Sequence, residues 1–141
     1  MSFTRAFRLI GIVALIMATT ACIGESPIDN AGATRLLNEY YQDIQSGDFD
    51  RAAALYPEKD RATWKAFLQT NRKSLGALKK FRIEHSETNT VYSGIYFVFT
   101  IDAQYEKHEA TEIITIFQEV DQKHPWLNYH KTKIDDVSAT M

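Results

Sequence analysis

Leu36, Leu37, Tyr40, Tyr41 and Ile44 recur at intervals of three and four residues, the stripe of an amphipathic helix. The stripe predicts a helix over residues 31–46, capped by Asp29 or Asn30 and ended by Gly47. Asp48 is placed to cap a second, short helix over residues 48–56 that stops at Pro57. After Asp60, a further candidate cap, Trp64, Phe67, Leu68, Leu75 and Leu78 keep the helical period, with Gly76 ending this third helix or loosening its last turn. Beyond Lys80 the period falls to two. Phe81, Ile83 and His85 alternate with polar residues, and Ile95, Phe97, Phe99, Ile101, Ala103 and Tyr105 then alternate with Tyr96, Val98, Thr100, Asp102 and Gln104. Residues 111–120 and 126–134 supply two more strands. The connections at 87–94, 106–110 and 121–125 are polar and short enough for antiparallel hairpins. Helices followed by a run of strands predict an α+β domain: N-terminal helices packed on a curved four-stranded antiparallel sheet, with Trp64 and Phe67 facing Phe97 and Phe99.

The first residues obey a different logic. Arg5 and Arg8 give a positive start, Leu9 to Ala18 form an apolar run, and Thr19-Thr20-Ala21-Cys22 closes it, the layout of a secretory leader. Ten residues of helix span about 15 Å, half of a roughly 30 Å hydrocarbon core, too short for a comfortable transmembrane helix. The only cysteine of the chain, Cys22, sits directly after the small Ala21. This placement resembles the lipobox of bacterial lipoproteins. The resemblance implies cleavage before Cys22, a diacylglycerol on its sulfur and, because Ile23 rather than Asp comes next, residence in the outer membrane facing the periplasm. The alternative is a free cysteine left by ordinary leader cleavage. The chain thus divides into a leader (1–21), a polar tether (22–30), a domain (31–135) and a tail (136–141).

Composition narrows the classes. The chain has 141 residues, of which 8 Phe, 7 Tyr and 2 Trp argue against disorder. A single cysteine cannot pair within the chain, and lipidation would consume its thiol. A formal charge of -2 provides no basic field for a phosphate backbone, so nucleic acid is not an expected partner. Loss of Arg5 and Arg8 with the leader makes the remaining chain more acidic. None of His85, His108, His124 and His130 forms a close pair with metal-ligand spacing, and no phosphate loop or nucleophile elbow is present. Neither a metal nor a cofactor is expected.

The order of three helices and four strands, with Gly47-Asp48-Phe49-Asp50 joining the first two helices, Gly94-Ile95-Tyr96 opening a long strand and Trp126 followed by Tyr129 in the last, resembles the nuclear transport factor 2-like superfamily of cystatin-like cones. The resemblance covers residues 31–134 and is closest to small bacterial envelope domains of unknown function. It implies a pocket between helices and concave sheet, which Tyr40, Tyr41, Tyr56, Trp64, Phe97, Phe99, Phe117 and Trp126 could line, although such aromatics serve first as a filled core. It also implies that the outer sheet face can pair with a second copy or an envelope protein. Tyr96 and Val98, with apolar Ile113, Ile114 and Ile116 on both faces of the next strand, fit such a surface or, equally, a local cover by the chain's own loop.

Two functions from different classes are compatible with these residues. The first is a non-catalytic, lipid-anchored envelope lipoprotein whose cone binds a partner protein or a small apolar ligand. The second is a ketosteroid-isomerase-like or hydratase-like enzyme, in which Tyr40 or Tyr56 polarises a carbonyl and a carboxylate moves the proton. The available carboxylates are poorly placed for that task. Asp48 is a candidate cap, Asp50 lies in the same turn, and Asp102 has the opposite strand parity from Phe97 and Phe99. No catalytic residue is therefore assigned.

Overall fold

The computed structural model describes residues 29–122 and 124–135. The leader, Cys22 and the tail lie outside the described residues.

Three helices come first: α1 (Asn30–Ser46), α2 (Phe49–Ala54) and α3 (Arg61–Leu75), with a 3₁₀ turn, Glu58–Asp60, before the third. Asp29 caps α1 by accepting from the Gly32 amide at 2.7 Å, and Gly47 closes it at a left-handed φ of 77°. Asp48 caps α2 by accepting from the Arg51 amide. Asp60 makes no side-chain capping bond to α3, because the 3₁₀ turn leads straight into the helix and leaves Asp60 in a helical conformation rather than the extended one a cap needs.

Four strands complete the domain, β1 (Leu78–Val91), β2 (Gly94–Tyr105), β3 (Glu109–Glu119) and β4 (Trp126–Ile134), paired antiparallel in the order in which they occur. Leu78 opens β1 rather than closing α3, since Gly76 breaks the helix at φ 83°. β1 also runs through the segment expected to be a loop, as far as Val91, leaving Tyr92 and Ser93 as the turn. It lies at the edge of the sheet, so Glu87, Thr88, Asn89 and Thr90 pair with β2 on one side and meet water elsewhere, which polar and β-branched residues tolerate. Gly94 is required on steric grounds: a Cβ there would collide with the Gln118 carbonyl oxygen.

One face of the sheet presents Phe97, Phe99, Ile101, Ala103 and Tyr105 of β2 and Ala110, Ile114 and Ile116 of β3, all buried. Leu37, Tyr40, Tyr41 and Ile44 of α1 join the same core. Trp64 belongs to the helix side in a different way from expectation. It is half-buried and stacks on Tyr56, with ring centroids 4.4 Å apart, while Phe67 meets its edge. Tyr56 therefore receives the tryptophan that the periodicity aimed at the Phe97 and Phe99 rings.

The pairing of β4 with β3 is irregular at one point. Thr115 pairs with Tyr129 and Ile116 with Leu127, so Asn128 is an extra residue, a β-bulge. The bulge places Leu127 and His130, three residues apart, on the same buried face. Trp126 is thereby turned outward.

Candidate functional site

The core side of the sheet closes around a polar centre. Glu112, at an inward position of β3 in phase with Ile114 and Ile116, is fully buried. Its Oε2 accepts from the Tyr41 hydroxyl at 2.5 Å, and its Oε1 accepts from the Tyr105 hydroxyl at 2.7 Å and the Thr132 hydroxyl at 2.9 Å. His130 Nε2 lies 3.4 Å from the same Oε1. On the other edge of the imidazole, Nδ1 is 2.8 Å from the Tyr40 hydroxyl, which is 2.9 Å from that of Tyr56. Asn71 of α3 donates to Thr132 Oγ1 at 3.0 Å, and the Phe67 ring meets the imidazole at 5.0 Å.

Each group is delivered by a local feature. Tyr40 and Tyr41 are consecutive on the broad buried stripe of α1, so one reaches β4 and the other β3. Tyr56 follows Leu55, the residue that caps the end of α2, Tyr105 ends the inward row of β2, and the Asn128 bulge turns His130 inward. Hydrogen bonds join Tyr56 to Tyr40, where either hydroxyl can donate, and Tyr40 to His130 Nδ1, while His130 Nε2 faces Glu112. Burial pushes the Glu112 carboxyl up, but the hydrogen bond and charge of His130, with Tyr41 and Tyr105 donating, more than offset this and hold it below the usual value. Burial raises the Tyr40 and Tyr41 hydroxyls well above the ordinary tyrosine value, with neighbouring charge adding to it, and raises those of Tyr56 and Tyr105 as well.

The arrangement could relay a proton, yet it is closed. The side chains of Glu112 and His130 are both 0% exposed, so no substrate atom reaches them unless the helix layer moves. Among the described residues, Gln118 Oε1 is the one buried side-chain polar atom left without a partner.

The residues expected to line a pocket divide. Tyr40, Tyr41, Tyr56, Phe97 and Phe99 are buried on the concave side, and Trp64 covers Tyr56. Phe117 and Trp126 are not there. Phe117 has outward parity, and the bulge sends Trp126 the same way, so they join Tyr96 in a row across the outer face with centroid separations of 4.4 and 5.4 Å. Val98, Thr115 and Tyr129 form the next row, with Ile113 beyond it. Asp48 is a cap, Asp50 is exposed and pairs with Lys65 at 2.6 Å, and Asp102 faces outward against Arg82 at 2.8 Å. His85, His108 and His124 are exposed. Among the described residues, no group of three or more His, Cys, Asp or Glu side chains is arranged to hold a metal ion.

No family model matches the sequence. Nor does any curated protein match it. Solved structures do. Bd1075 of Bdellovibrio bacteriovorus superposes with a TM-score of 0.54 at 10% identity over 76% of this chain, which spans 41% of that protein. ActVI-ORFA of Streptomyces coelicolor, a protein of nuclear transport factor 2-like fold, gives 0.52 at 15% identity, over 76% of this chain and 95% of that one. The fold is the nuclear transport factor 2-like cone. In this cone the concave side, where a ligand would be sought, is filled by Tyr40, Tyr41, Phe99 and the Glu112–His130 pair.

Proposed function

We propose that the chain is a lipid-anchored envelope lipoprotein, held through Cys22, whose cone works without turnover by presenting the outer sheet face to a protein partner. The observation that carries this reading is the aromatic row in which half-buried Tyr96 and Trp126 flank a buried Phe117, continued by half-buried Val98 and by Tyr129, which is 43% exposed. An isolated antiparallel sheet keeps its solvent face polar. A second copy of the chain is the simplest occupant, since one face can then cover its twin. The sealed concave side supports the same reading, because a small apolar ligand has no vacant centre to fill there.

Tyr96→Lys tests it. A charge at a desolvated contact is costly, so the variant sediments as a monomer, or loses its cross-linked partner in intact envelopes, while its circular dichroism spectrum is unchanged. Identical association of variant and wild type would remove the outer face from consideration.

The enzyme reading is favoured by one observation, the Glu112–His130 pair with the Tyr40 hydroxyl beside it, an acid-base set that uses none of the three aspartates. If Tyr40→Phe stays folded and abolishes a cellular phenotype that Tyr96→Lys leaves intact, turnover replaces presentation as the working reading.

A further inference from the structure

At the end of the cone away from the Glu112 carboxylate, a cleft of about 340 Å³ opens between the end of α2 and the start of β4. Its volume falls within the roughly 300–1,000 Å³ of small-molecule sites. Tyr56, 1% exposed, forms its floor. Half-buried Pro57, Pro125 and Trp126 make flat apolar walls, and exposed Arg61 and His124 stand at the rim. Among the described residues that line it there is no carboxylate.

Both sides of the cleft are pinned. The Leu127 amide donates to the Leu55 carbonyl at 2.9 Å, tying β4 to the end of α2. Arg61 Nε donates to the Tyr56 carbonyl at 3.1 Å, which fixes the guanidinium plane and leaves its two terminal nitrogens for a ligand. Among the described residues no carboxylate pairs with Arg61, whereas Arg51 and Arg82 each have acidic partners.

We infer that this cleft binds a small aromatic carboxylate, its ring between Trp126 and the two prolines and its carboxylate on Arg61. A planar guanidinium held by one hydrogen bond presents the fork that matches a carboxylate. Arg61, His124 and the two prolines belong to neither outer row and only Trp126 is shared with the sheet face, so a lost carboxylate preference in Arg61→Gln is distinguishable from lost association in Tyr96→Lys.

Naphthalene-2-carboxylate and its neutral isostere naphthalene-2-carboxamide are the probes, titrated into the folded domain and monitored by amide chemical shifts. The carboxylate binds saturably and about tenfold tighter than the carboxamide, as expected for a charge-assisted contact. Shifts centre on Leu55, Arg61, His124 and Trp126. Arg61→Gln removes the preference for the carboxylate, and Arg61→Lys restores part of it. Because the comparison of the two probes uses the wild type, it stands even if an Arg61 variant unfolds. Equal affinity for both probes, no saturation at millimolar concentration, or shifts confined to Val98, Thr115 and Tyr129 would overturn the assignment. So would an acidic peptide that binds the cleft where the naphthoate does not.

Discussion

Glu112 is the residue on which the interior depends most. Three hydroxyls and the His130 edge converge on one carboxylate that water does not reach. Removing the charge of such a centre leaves donors aimed at a group that cannot accept them all. Glu112→Gln is therefore expected to lose about 3–5 kcal/mol of stability, measured by urea unfolding. The pH dependence has a definite sign. The Glu112 carboxyl is held low in the folded state, so its contribution is present above the unfolded carboxyl value of about 4.3 and fades as pH falls through the folded value. The tyrosines act at the opposite limit. Tyr40, Tyr41, Tyr56 and Tyr105 are raised on folding, so their contribution is intact below about pH 10 and declines above it, as unfolded tyrosines ionise first. Base titration monitored by tyrosinate absorbance should show their ionisation coinciding with unfolding. Ionisation of all four in a protein that keeps its folded circular dichroism would contradict the buried network.

At the scale of elements, the Asn128 bulge sets the parity of β4 and with it the fate of His130. Deleting Asn128 removes the extra residue and leaves Leu127, Tyr129 and His130 opposite Ile116, Thr115 and Ile114 in regular alternation, so His130 keeps its inward position. The expected result is a cooperative urea-unfolding transition in both this deletion and Asn128→Gly, and loss of the transition in the deletion alone would contradict the assignment of Asn128 as the extra residue. Much of the architecture is legible in the sequence because it obeys simple periods. The α1 stripe, Gly47, the Asp48 cap and the inward row from Phe97 to Tyr105 all lie where the pattern puts them. Glu112 carries a signal of its own: it shares parity with Ile114 and Ile116, and an acid in phase with buried isoleucines requires a partner. His130 carries none, because strict alternation through β4 groups it with Trp126, and only the paired register of β3 exposes the extra residue. The outer half of β1 reads as a loop for a related reason. An edge strand wet on both faces has no apolar alternation to read.

For the whole molecule, the contrast lies between a concave side that satisfies itself and an outer side that does not. The sealed centre ties six elements together through α1, the end of α2, α3, β2, β3 and β4. Among the described residues, the surfaces offered to other molecules include the outer rows and the cleft at one end. The proposed membrane attachment is tested on the full chain: Cys22→Ala should leave the membrane fraction or accumulate as an uncleaved precursor, and labelling with a fatty acid should mark the wild type alone. Equal labelling of both would refute the anchor.

Trp126 belongs to both surfaces at once. Its ring meets Phe117 in the outer row and also walls the cleft beside Pro125. Two binding events that share a side chain are bound by reciprocity: whatever factor a cleft ligand applies to the association constant of the outer face, association must apply to the affinity for that ligand. A carboxylate that reorients the indole would make the quaternary state of the protein a readout of ligand concentration, and the fluorescence of one tryptophan would report on both equilibria.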